Sequence, residues 1–133
     1  MQIKPTDVDS LMTRFDSCCD GLLHSIGFTL IPEPDSAVVV VESHDSESPS
    51  GWSRLTFSMA QVEKARVEVG TTILQILSGG IQLIWEKDLV YLVLDAYPDD
   101  GPGLPDLARN HAYISGKQCS LAIKFIELPF PPR

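Results

Sequence analysis

Cysteine is too scarce and too badly spaced in this sequence to staple a fold. Cys18, Cys19 and Cys119 make an odd count with two adjacent members, which excludes a disulfide framework. There is no Cys-x-x-Cys, no His-x-x-x-His and no Cys/His cluster of zinc spacing, so a zinc centre has no ligand set. A Gly-x-Ser-x-Gly elbow is missing, and Gly101-Pro102-Gly103 lacks the following Lys and the strand-to-helix setting of a phosphate-binding loop. No apolar run approaches the roughly 20 residues that span a bilayer. The opening Met1-Gln2-Ile3-Lys4-Pro5-Thr6-Asp7 has no apolar stretch of the signal-peptide kind. Positive charge is also scarce. Ten Lys and Arg stand against eighteen Asp and Glu, for a net charge of −8, and such a surface repels DNA and RNA. These absences predict a chain with no cofactor, no metal, no nucleic-acid partner and no membrane span, held in a reducing cytoplasm.

What remains is globular in composition, with 44% hydrophobic and 21% charged residues in a length of 133 that suits one domain over residues 1–133. Residues 6–17 read as a short helix. Thr6 stands at its start, Asp9 follows in capping-box position, and Val8, Leu11, Met12 and Phe15 recur at helical spacing. After Gly21 the period becomes two. Leu22, His24, Ile26, Phe28 and Leu30 then share one face of a strand, ended by Pro32-Glu33-Pro34-Asp35.

The β-branched run from Ala37 to Val41 suggests a strand covered on both faces. Leu55, Phe57 and Met59 alternate with Arg54, Thr56 and Ser58, and Ala65 and Val67 alternate with Lys64 and Arg66. Residues 72–94 read as a three-strand meander, turning at Ser78-Gly79-Gly80 and at Lys87-Asp88. A last hairpin is expected around Gly116-Lys117, before an extended Pro-rich tail over residues 129–133. Short connections imply antiparallel pairing. The predicted architecture is all-β: an antiparallel β-sandwich or flattened barrel of about eight strands with a short N-terminal helix.

Chemistry-bearing residues are few. Cys18 and Cys19 lie between Asp16 and Asp20, whose charges oppose thiolate formation, and Cys119 alternates with Leu121, Ile123 and Phe125 as a core residue would. His24 falls on the apolar face of its strand, His44 in an acidic loop, and His111 just after a Pro/Gly-rich loop. Two histidines meeting across a cleft would support acid–base cleavage, so a small hydrolase or nuclease is one reading. The carboxylates of residues 95–106 do not follow EF-hand spacing and read as a solvated loop. No catalytic residue is assigned.

Loops 43–51 and 95–110 combine aromatic and Arg anchors with many carboxylates, as protein interfaces do. The candidate partner-binding residues are Asp45, Glu47, Trp52, Tyr97, Asp99, Asp100, Arg109 and His111.

Two segments carry a resemblance. The first is Phe15-Asp16 through Asp20-Gly21-Leu22-Leu23-His24-Ser25-Ile26, an acidic turn leading into a strand; the second is Arg54-Leu55-Thr56-Phe57 before Val62. With Asp95-Ala96-Tyr97-Pro98-Asp99-Asp100-Gly101 as a subgroup loop, the chain resembles small bacterial immunity-type or uncharacterised β proteins. That resemblance implies no cofactor and non-catalytic binding of a cognate toxin, and it assigns no site residue. The expectation is a cytoplasmic protein-binding domain with a basic protein partner. A structural or homo-oligomerising subunit is the alternative.

Overall fold

The computed structural model describes residues 1–29, 35–67, 76–95 and 112–127. After a 3-10 turn at Pro5–Asp7 the chain forms α1 (Val8–Phe15), whose Leu11 and Phe15 are buried and whose Val8 and Met12 pack partly against the same core. The helix start differs from the expected Thr6–Asp9 box. Asp7 is the cap position, and its carboxylate accepts the Lys4 backbone N–H at 2.8 Å. Asp16, Ser17 and Cys18 then all take positive φ, and the Cys19 N–H closes a tight turn on the Asp16 carbonyl at 2.9 Å.

Among the described residues there are nine strands in two antiparallel sheets. The first holds β1 (Gly21–Thr29), β2 (Ser36–His44), β3 (Trp52–Ala60), β5 (Ile76–Leu77) and β9 (Gln118–Ile126), ordered β5-β1-β2-β3-β9. The second holds β4 (Lys64–Val67), β6 (Ile81–Glu86), β7 (Leu89–Leu94) and β8 (Ala112–Gly116), ordered β4-β8-β7-β6. The result is an all-β sandwich, as the alternation requires. One shared core lies between the sheets, built from Val39, Val41, Leu55, Phe57 and Met59 on one side and Leu83, Val90, Leu92 and Ile114 on the other, with Phe15 inserted from the helix. Each fully enclosed side chain of this size contributes about 1.5–3 kcal/mol of transfer free energy.

Several strand readings are corrected. β8 and β9 do not form a hairpin with each other. The chain bends at Lys117 and changes sheets, so that β8 pairs with β4 and β7 while β9 pairs with β3. β3 and β4 make the matching bend through residues 61–63, and the Lys117 N–H to Ala60 carbonyl and Glu63 N–H to Ser115 carbonyl bonds, 3.0 and 2.9 Å, stitch the corner. Gly116 suits this corner because a Cβ there would stand 2.7 Å from the Ala60 carbonyl oxygen. Strand-switching corners of this kind are how twisted sheets fold over one another.

Nor do residues 76–94 form a meander. β5 pairs with β1, and Gly79-Gly80 carries the chain across to β6 in the other sheet, leaving β6–β7 as the only hairpin in that stretch. β2 is covered on one face rather than two, since Val38 is 39% exposed while Ala37, Val39 and Val41 are buried. In β1 a bulge between Leu23 and Ser25 shifts the pairing by one residue. Leu23 and Ile26 therefore reach the core, and His24, expected inside, is exposed.

Candidate functional site

The β2–β3 loop is built around one carboxylate. Asp45 is completely enclosed, and it accepts hydrogen bonds from Arg14 Nε (2.8 Å), Arg14 Nη2 (3.1 Å), Ser53 Oγ (2.5 Å) and the Glu47 backbone N–H (2.9 Å). Burial opposes its ionisation, but these donors outweigh burial and hold the carboxyl below its ordinary range. Arg14 is held above its own ordinary value, first by the hydrogen bond to Asp45. The backbone adds further ties. Ser46 donates to the Arg14 carbonyl at 3.1 Å, Asp45 to Gly51 at 2.8 Å, and Gly51 to Ser48 at 3.0 Å. Asp45 was among the expected partner contacts. Its side chain has no free surface and instead fixes the loop to the end of α1.

Glu47 differs. Its side chain is 62% exposed, with Oε2 2.8 Å from Arg14 Nε, so one guanidinium stands between two carboxylates. Trp52 begins β3 half-buried and stacks on the exposed His44, with ring centroids 4.1 Å apart and planes inclined by 37°. Ser50 closes the loop: its hydroxyl accepts the Trp52 N–H at 3.1 Å and donates to the Ile126 carbonyl. Phe125, 52% exposed, stands at the same end of the sheet. The loop thus carries an exposed carboxylate held by Arg14 and an aromatic pair at its base, on a braced backbone.

Tyr97, Asp99, Asp100, Arg109 and His111 lie outside the described residues. The residues that flank them are placed: Leu94 pairs with Ala112, and Asp95 Oδ1 accepts the Gly79 N–H at 2.9 Å. The described histidines do not meet. His24 sits in the bulge opposite Val40 and Val41, while His44 pairs with Trp52 three residues further along β2, about 10 Å away at strand rise.

All three cysteines are free. Burial pushes the Cys18 and Cys119 thiols up to about 12, and burial, then Asp16 and Asp20, raises Cys19. No helix among the described residues is long and apolar enough to cross a membrane.

Sequence reasoning missed Arg14, the residue that organises the loop. As a basic residue in the last helical turn it carries only a helix-dipole signal. Nothing in the spacing links it to Asp45. Also unforeseen is an open cleft of about 450 Å³ between α1 and β6.

Comparison of the chain with protein-family models, with curated proteins and with solved structures gives no match.

Proposed function

We propose that this chain is a non-enzymatic protein-binding domain, an immunity-like inhibitor whose acidic face covers a basic toxin surface in the cytoplasm. The observation that carries the reading is the braced β2–β3 loop, which holds exposed Glu47 on Arg14 and has the His44–Trp52 pair at its base. A loop already fixed by Asp45 loses little conformational freedom on binding, so more of the contact energy appears as affinity. The net charge of −8 supports electrostatic steering toward a basic partner. Glu47 and Trp52 are the described contacts, and Tyr97, Asp99, Asp100, Arg109 and His111 complete the proposed face from the sequence.

The test is affinity capture from the native cell with the tagged chain and with a Glu47→Lys/Trp52→Ala variant, washed at low and moderate salt. A basic protein held by the parent, released by salt and lost by the variant supports the inhibitor. Equal retention by both chains removes this loop from the contact. Recovery of the chain alone favours the homo-oligomerising subunit.

A further inference from the structure

The cleft between α1 and β6 has an unusual lining. On one wall stand four consecutive residues, 81–84, of β6. Consecutive strand residues point to opposite faces, so what they share is the backbone edge. β6 is the last strand of its sheet, and among the described residues no strand pairs with that edge. The other wall is α1, through Val8, Asp9 and Met12. Four strand residues span about 13 Å and the eight helical residues about 12 Å, so the walls match in length. Gln82 Oε1, in the lining, is enclosed and has no hydrogen-bond partner among the described residues. An enclosed acceptor left unpaired is a standing cost that an arriving N–H would relieve.

We propose that this cleft is a strand-addition site, taking an extended segment of a partner protein that is alternately basic and apolar. Its backbone pairs with β6, the apolar side chains on one face of the segment rest on Val8 and Met12, and a Lys or Arg of the other face reaches round by its length to Asp9, the charged residue of the lining. Addition of a peptide strand to an exposed edge draws affinity from main-chain hydrogen bonds and specificity from the flanking side chains. A second copy of this chain is the less favourable occupant, because edge-to-edge pairing would bring two Asp9 side chains and two net charges of −8 together. The inference rests on the protein-binding reading but uses a different surface from the β2–β3 loop.

The probe is the end-blocked hexapeptide Lys-Val-Lys-Val-Lys-Val, titrated into isotope-labelled protein and followed by amide chemical shifts. Saturable shifts at residues 82–84 and 8–12 are expected, with loss of binding when alternate peptide nitrogens are methylated. Asp9→Lys should weaken binding about two- to fivefold, the worth of one exposed ion pair. Gln82→Leu should weaken it too, while leaving the free protein's melting temperature unchanged or higher.

The proposal is overturned by an absence of saturable shifts at millimolar peptide. Shifts confined to residues 45–52, equal binding of the methylated peptide or of Glu-Val-Glu-Val-Glu-Val, or a dimer formed through β6 would also overturn it. A captured partner lost on Glu47→Lys but indifferent to Asp9→Lys and Gln82→Leu would leave the proposed function standing and remove the cleft.

Discussion

Arg14 and Asp45 stand 31 positions apart in the chain and meet at two points, Nε to Oδ1 at 2.8 Å and Nη2 to Oδ2 at 3.1 Å. The contact ties the last turn of α1 to the loop that presents Glu47, so helix position and loop shape depend on each other. A bidentate pair of this kind is the strong form of the charge-assisted hydrogen bond.

Arg14→Leu is therefore expected to destabilise the fold by about 2–4 kcal/mol, somewhat under the range for a fully buried pair because Arg14 itself is partly exposed. Most of that cost comes from leaving the enclosed Asp45 charge without its cation. Urea unfolding of Arg14→Leu, Asp45→Asn and the double variant checks this. Strong coupling between the two changes is expected, and additive losses would show that the contact is ornamental.

The same pair sets a pH dependence. Asp45 binds a proton less readily folded than unfolded, so between its depressed folded pKa and the ordinary value near 4 the unfolded state holds more protons. Stability rises with pH across that interval. The contribution is complete above about pH 4 and is lost as pH falls through the folded pKa. The stability difference between the parent and Asp45→Asn should be constant from pH 5 to 7 and shrink only in acid. A gap that varied across neutral pH would assign it to another group.

The core was legible in the sequence and the connectivity was not. Leu55, Phe57 and Met59 could be read as buried because strand alternation is a local property, and all three are. His24 was misplaced because a bulge adds a residue without leaving any mark in a hydrophobic pattern. The supposed hairpin at Gly116-Lys117 and the bend that stands there have the same local chemistry, and only long-range pairing with Ala60 distinguishes them. Of the site, Trp52 and Glu47 were visible as an aromatic beside acids. Arg14 was not, because a contact across 31 residues has no periodic signature.

Thiol reactivity should order the cysteines. Cys18 and Cys119 are buried, with thiols raised to about 12, and Cys19 is only half-buried. The thiolate is the reactive form. A disulfide reagent at pH 8 should modify Cys19 first and the other two only on unfolding in urea. Fast labelling of Cys18 in the folded chain would contradict its enclosure.

Gly80 and Gly27 give a paired test of the corner between the sheets. Gly80 has φ +73°, and a Cβ there would collide with the Ser17 carbonyl oxygen and crowd Cys19 Sγ at 3.1 Å. That oxygen belongs to the tight positive-φ turn, which has little room to yield because Cys18 beside it is buried in the core. Left-handed backbone costs an L-residue about 1–2 kcal/mol, and overpacking a fixed neighbour adds about 1–3. Gly80→Ala should therefore cost roughly 2–4 kcal/mol in urea unfolding. Gly27, on an exposed strand position with nothing within 4 Å of a built Cβ, should accept alanine with no loss or a slight gain. Equal effects at the two positions would mean that the turn at residues 16–19 does not rest against Gly80, and the crossing from β5 to β6 would need another anchor.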